Sequence, residues 1–398
     1  MKLEYFFPEV EVKLKTSRDL QFSFQVVAAR HDLNWKSLRV MYYRKNPSKE
    51  EHNRKYLLTE EEEKALLFVL QAFSLEKFDL LPRDIRLMIM RKWNVEVSAD
   101  WVDDYLKRYS KALNKTSLKR LTEKRSSEFT IEDIEFFIQR HSELLEDMNI
   151  TAKNLVNYDE TRIGPAKGDK TFLKRVKAKY TGRNNVRSTM NQILTSMIPF
   201  VTAEGKVICI FYIIKGNFNK NGNASVGFEF AKVKWKRDYG FREFVCYTET
   251  GFVNKPLFEK ILLKFEELWH QDNPGLKCLL LGDNCSTHLD VDTMLDMYLK
   301  GVHMAFFAPL TTHFSQPLDS TIFALLKPLV YALLEQKVFN LQLLRKSTKR
   351  TTVAEAQEAA IQTLTKGIIK DAFEKTGIWP WNPEKLLTLA QEQLGKWQ

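Results

Sequence analysis

The sequence predicts a multidomain chain: an all-α N-terminal region of two tandem helical modules, followed by an α/β layer around a mixed sheet. Three observations predict it. Apolar residues recur at helical spacing from Arg18 to Met148. From Asn154 onward, apolar runs of strand length take over. These begin as three strands in succession and then alternate with helices, the order of an α/β layer rather than of a helical bundle.

The composition sets limits. A chain of 398 residues suggests two or three domains, and 44% hydrophobic residues supply their cores. Fifteen Gly and 12 Pro exclude a fibrous or low-complexity chain. A formal charge of +11 favours a polyanionic partner, without choosing among DNA, RNA and an acidic membrane; a basic soluble enzyme is the plain alternative. Cys209, Cys246, Cys278 and Cys285 sit in apolar or strand-like stretches and form no disulfide framework, so a reducing compartment is expected. No apolar signal core follows Met1, and no apolar run is long enough to span a bilayer, so neither secretion nor a membrane partner is expected.

The first module is placed at residues 1–48. Arg18 to Arg30 carries Leu20, Phe24, Val27 and Ala28 on one face, and Asn34 caps a second helix from Trp35 to Arg44. That helix presents Lys36, Arg39, Arg44 and the adjoining Lys45. A helix, a short turn and a basic helix make the outline of a helix-turn-helix, although a purely structural helix pair has the same pattern. The second module, with its linker, is placed at 56–127. Thr59 and Glu62 form a capping box; Pro82 opens the next helix; Ser98 caps a third, Ala99 to Tyr109. Lys107, Arg108 and Lys111 cluster at its end, repeating the basic last helix of the first module. Residues 115–127 are basic and irregular, read as a linker that can also track phosphates.

The third region is placed at 128–398. A helix from Ile131 to Met148 leads into strands at Leu155 to Asp159, Met190 to Val201 and Val207 to Lys215, the last two joined at Glu204-Gly205. A strand at Phe244 to Thr248, a helix at Lys255 to Gln271, a strand at Cys278 to Leu281, a helix at Met294 to Lys300 and a strand at Val302 to Phe307 follow. One helix is expected from Pro317 to about Gln336.

Three aspartates stand out by placement. Asp159 and Asp283 each end a strand, and Asp319 lies in the first turn of a helix. In an open α/β sheet the strand ends converge on one edge, so carboxylates there can meet. Such a cluster suits phosphodiester hydrolysis, in which two Mg²⁺ ions roughly 3.5–4 Å apart act on the attacking and leaving oxygens. Each aspartate alone reads equally well as a helix cap or turn former.

The local sequences sharpen this reading. Asn157-Tyr158-Asp159-Glu160-Thr161 resembles the first-acid motif of the pogo/Tigger-like transposases, a branch of the mariner-type DDE superfamily. Leu280 to His288 resembles their second-acid motif and Phe307 to Asp319 their third. Between the last two acids lie 35 residues (positions 284–318), a spacing typical of the superfamily. Lys375 to Pro383 resembles a closing motif, and the helical modules resemble tandem helix-turn-helix units, the second like that of centromere protein B. The resemblance implies an RNase H-like core, two Mg²⁺ or Mn²⁺ ions held by Asp159, Asp283 and Asp319, and a second shell shaped by Asn284 and Gln316. It further implies double-stranded DNA as partner, both terminal inverted repeats and target, with cut-and-paste insertion, a nuclear location and room for a homodimer. Two residues depart from the family pattern: Arg162 stands where a small residue is commoner, and Gly282 interrupts the apolar run before Asp283.

Other features carry two readings each. Residues 167–187 are strongly basic (Lys174, Arg175 and Lys177 among them), a phosphate contact or a solvated loop. His288 and His313 are read as a base or metal ligands, or else as local hydrogen-bonding groups. Asp290, Asp292 and Asp296 are read as decoration of a helix, and Trp235, Trp379 and Trp381 as core. Two further functions remain open: a tamed, non-catalytic DNA-binding descendant, and an RNase H-type nuclease with other substrates.

Overall fold

The computed structural model describes residues 8, 20–31, 33–38, 42, 57–75, 80–113, 129–163, 195–215, 231–232, 242–248, 250–283, 290–343 and 353–395. They fall into two compact units, residues 1–120 with 291–299, and 121–290 with 300–398.

The first unit is helical. Helix α1 (Leu20–Arg30) buries Phe24, Val27 and Ala28 against Leu38 and Tyr42. Asn34 caps the turn at 35–38 as expected, its Oδ1 accepting from the Lys36 and Ser37 amides at 3.0 and 3.2 Å. Helix α2 (Glu60–Leu75) opens on the expected capping box: the Thr59 amide donates to Glu62 Oε2 at 2.8 Å, and the Glu62 amide donates to Thr59 Oγ1 at 3.3 Å. Helix α3 (Pro82–Trp93) starts on its proline and stops at Asn94, whose φ of 54° ends the helical path. In α4 (Ala99–Arg108) Ser98 accepts from the Trp101 amide. Leu66, Leu70, Ile85, Ile89, Val102 and Tyr105 close one core. The helix Val291–Leu299 belongs to this unit, with Asp292 and Asp296 ion-paired to Arg91 and Lys92 at 2.7 and 2.5 Å.

The second unit begins with α5 (Ile131–Asp147) and is built on one eight-stranded sheet. Its strands are β1 (Leu155–Tyr158), β2 (Thr161–Ile163), β3 (Thr195–Thr202), β4 (Val207–Lys215), β5 (Ala231–Lys232), β6 (Glu243–Thr248), β7 (Cys278–Gly282) and β8 (Val302–Phe306). The sheet runs β5-β6-β4-β3-β1-β7-β8, with β2 paired to β3 off this path. β3 and β4 form the expected hairpin; β1 runs antiparallel to β3 and parallel to β7, and β7 parallel to β8. The central order β4-β3-β1-β7-β8, with β3 alone reversed, is the RNase H-like arrangement. Helix α6 (Lys255–Asp272) covers the sheet with Leu257, Ile261, Leu262 and Phe265, all fully buried. Phe265 stacks on Phe200 of β3 at 4.6 Å, and Phe200 on Tyr158 of β1 at 5.5 Å. Each such side chain contributes about 1.5–3 kcal/mol of burial, so this aromatic stack fixes α6 across β1 and β3.

After α7 (Val291–Leu299) and β8 comes a short α8 (Thr312–Ser315). The expected helix from Pro317 to about Gln336 is divided. Residues Leu318–Ile322 form a π-helical turn, with the Phe323 amide donating to Leu318 O, and α9 (Phe323–Leu343) follows. Apolar periodicity does not reveal a single wide turn, because one extra residue leaves Leu318, Ile322 and Phe323 still facing inward. Helices α10 (Val353–Thr363), α11 (Lys366–Thr376) and α12 (Pro383–Gly395) complete the unit. Among the described residues, no helix is long and apolar enough to cross a membrane.

Candidate active site

β1 and β7 are parallel neighbours with Asn157 opposite Leu281, so both strands end on the same edge. Asp159 and Asp283 lie two residues beyond that pair, side by side at the carboxyl ends of the strands. Asp319 reaches the same edge from the π-helical turn, whose first amide, that of Leu318, donates to Asn157 Oδ1 at 3.1 Å. The three aspartates picked out in the sequence are therefore brought together.

Their electrostatics follow from that meeting. Asp159 is only 8% exposed. Burial pushes its carboxyl well above the usual carboxylate range, and the charges of Asp319 and Asp283 push it further. The neighbouring Asp319 side chain favours the protonated form as well, while the Glu160 amide, which donates to Asp159 Oδ1 at 2.7 Å, pulls the other way.

This donor set fits a divalent cation. Three hard carboxylates converge, and one has to stay protonated to relieve the repulsion, a load that a cation would remove. The fit is one of donor chemistry: among the described residues, no group of three or more His, Cys, Asp or Glu is placed so that it could hold a metal ion.

Both departures from the family pattern have packing reasons. A Cβ on Gly282 would overlap the Cε1 and Cζ of Tyr158, so the chain has glycine where that ring passes. Arg162 stacks its guanidinium on the ring of Phe252 at 3.8 Å. Gln316 is fully buried, and neither atom of its amide has a hydrogen-bond partner among the described residues. Asn284 and His288 lie outside the described residues. His313 is exposed and meets Phe314 edge-on. Asp290 pairs with Lys255 at 2.6 Å. Trp381 donates to Ser142 Oγ at 3.0 Å and packs on the buried His141.

Of the basic residues assigned to DNA, Arg39, Arg44, Lys45, Lys174, Arg175 and Lys177 lie outside the described residues. Lys36, Lys107 and Lys111 are exposed. Arg108 is also exposed, but it is engaged within its own unit. Its guanidinium donates to Glu63 Oε1 at 2.6 Å and lies over the rings of Trp101 and Tyr105. It thus pairs a carboxylate that is 3% exposed while its own side chain keeps 37% exposure.

Asn157, named above only as part of the first-acid motif, has a role that the sequence did not assign. This residue is fully buried in β1, and its Nδ2 donates to Leu281 O at 2.8 Å while its Oδ1 accepts from the Leu318 amide. The available signal was an amide in an otherwise inward-packed strand, Leu155-Val156-Asn157-Tyr158.

Residues 219–373 match the DDE superfamily endonuclease family. The match takes in Asp283 and Asp319, less than half of the chain, and agrees with the superfamily resemblance of the acid motifs. No curated protein matches the chain. Among solved structures, the Mos1 mariner paired end complex with Mn is similar at 12% identity, covering 81% of this chain and 77% of that one, with a TM-score of 0.36. The Mos1 strand transfer complex is similar at 12% identity, covering 98% and 95%, with a TM-score of 0.35. The catalytic domain of Mos1 mariner transposase is similar at 12% identity, covering 70% and 97%, with a TM-score of 0.36. The RNase H-like assignment rests on strand order and direction, not on these likenesses.

Proposed function

We propose that this chain is a DNA transposase of the mariner type, acting in the nucleus, which cleaves and rejoins phosphodiester bonds with Asp159, Asp283 and Asp319. The observation that carries the reading is the convergence of these three carboxylates at the carboxyl edge of an RNase H-like sheet, in a chain whose residues 219–373 match the DDE superfamily endonucleases. Two divalent ions bound there would supply activation of the attacking oxygen and stabilisation of the leaving one. The protein's part is to orient and to exclude water. Asp159 is buried, and Asp283 and Asp319 are half-buried. The exposed Lys36, Lys107 and Lys111 of the first unit supply positive charge for duplex phosphates, in the manner of tandem helix-turn-helix modules. Two element ends cut in concert require two such sites, which a homodimer supplies.

The test is strand cleavage with Mg²⁺ on DNA carrying terminal inverted repeats. Wild type is expected to cleave and Asp283→Asn to lose cleavage by several orders of magnitude. Wild type that binds this DNA without cutting it would overturn the catalytic reading and leave a DNA-binding protein that has lost the enzyme's activity.

A further inference from the structure

We infer that Asn157 is the positioning residue of the three-acid site: its one buried amide ties together the segments that carry Asp159, Asp283 and Asp319, setting the spacing at which those carboxylates take up divalent ions. The inference rests on the reading of the site proposed above and goes beyond it to a residue that makes no contact with substrate.

An amide is costly to bury unless its hydrogen bonds are made, and Asn157 is fully buried among Leu155, Val156 and Tyr158. Its bonds explain the position. It stands two residues before Asp159. Its Nδ2 donates at 2.8 Å to the carbonyl of Leu281, two residues before Asp283. Its Oδ1 accepts at 3.1 Å from the amide of Leu318, the residue before Asp319. A further donation from Nδ2, to Tyr158 O at 3.4 Å, stays on its own strand. The sheet ladder already joins β1 to β7. The Leu318 bond adds the π-helical turn to that pair, and satisfies an amide that the start of a helical turn leaves without a partner.

An amide carries its donor and its acceptor on separate atoms and so reaches both partners at once. A carboxylate would accept from Leu318 but could not donate to Leu281 when ionised, and it would add a fourth negative charge. Leucine would leave the Leu281 carbonyl and the Leu318 amide without their partner. Asn157 does not titrate in the working range, so it holds geometry and moves no proton.

The test uses the full chain as wild type, Asn157→Ser and Asp283→Asn. Mn²⁺ binding is followed by electron paramagnetic resonance, with Tm measured alongside. Asn157→Ser is expected to bind Mn²⁺ about tenfold or more weakly, the range seen when groups orienting metal ligands are removed. It should stay folded, and its cleavage deficit should close as Mn²⁺ is raised, which lost folding would not allow. Should Asn157→Ser fail to fold, Asn157→Gln, which keeps the amide but displaces it by one methylene, carries the same test. Unchanged Mn²⁺ affinity in the Asn157 variant, beside weakened binding in Asp283→Asn, overturns this inference alone. Wild type without Mn²⁺ binding, or Asp283→Asn binding as wild type does, overturns the reading of the site and this inference with it.

Discussion

The ring of Tyr158 lies so close over the Cα of Gly282 that any side chain there would sit 2.8 Å from its hydroxyl and overlap its ring carbons. Each of the two residues directly precedes an acid of the site, Asp159 and Asp283. Gly282→Ala is therefore expected to push Tyr158 aside, to cost about 1–3 kcal/mol as overpacking does, and to depress cleavage through both acids at once. Thermal unfolding checks the first effect. The double variant Gly282→Ala with Tyr158→Val should lose less stability than the two single variants summed. Full additivity would mean that the two do not compete for the same space.

Asp159 makes stability depend on metal and pH together. Its carboxyl is raised above its unfolded-state value, chiefly by burial and then by Asp319 and Asp283. Ionising it therefore opposes folding: its contribution is full below the unfolded pKa, near 3.9, and is lost as pH rises through the folded value. At neutral pH, Mg²⁺ is expected to raise the Tm of wild type, and chelation to lower it. Asp159→Asn should be more stable than metal-free wild type and should respond little to Mg²⁺. Equal Mg²⁺ shifts in the two proteins, measured by calorimetry, would refute the assignment.

Arg108 and its neighbours should separate by experiment. Arg108→Ala strands the buried Glu63, whose carboxyl burial already pushes up against the pull of Arg108 and Tyr109. The expected cost is about 1–3 kcal/mol, below the range for a fully buried pair because Arg108 is partly exposed. Among the described residues Lys107 pairs with the exposed Asp104, an interaction worth little. Charge reversal at Lys107 and Lys111 should leave Tm nearly unchanged and flatten the salt dependence of DNA binding by about 0.9 in slope per lost phosphate contact. A salt slope unmoved in these lysine variants would remove this surface from the DNA interface.

His141 predicts acid sensitivity in the second unit. It is fully buried between Phe137 and Trp381, with neither ring nitrogen hydrogen-bonded among the described residues. Burial lowers its pKa to about 3. A depressed histidine favours folding above its unfolded pKa, near 6.5, and that contribution is lost as pH falls from there toward 3. By pH 5 this amounts to roughly 2 kcal/mol, at about 1.4 kcal/mol per unit. His141→Leu should flatten the fall in Tm between pH 7 and 5. An unchanged profile would place the acid sensitivity elsewhere, with the buried His303, also lowered to about 3, the next to test.

The sequence by itself determined what short-range chemistry encodes. The Thr59–Glu62 capping box, the stop of β3 and β4 around Gly205 with its φ of 92°, and the caps at Asn34 and Ser98 all join residues a few positions apart. Each of the three acids likewise stands where a local pattern marks it, at the end of a strand or the opening of a helical turn, although what brings them to one edge is not local. Only the tertiary structure decided the rest. It put the Tyr158 ring against Gly282, folded Arg108 onto Glu63 45 positions away, stacked Arg162 on Phe252, and made Asn157 a bridge to residues 124 and 161 positions along the chain. These contacts depend on which groups lose water together, and desolvation is a property of the packed molecule that no local pattern of residues carries.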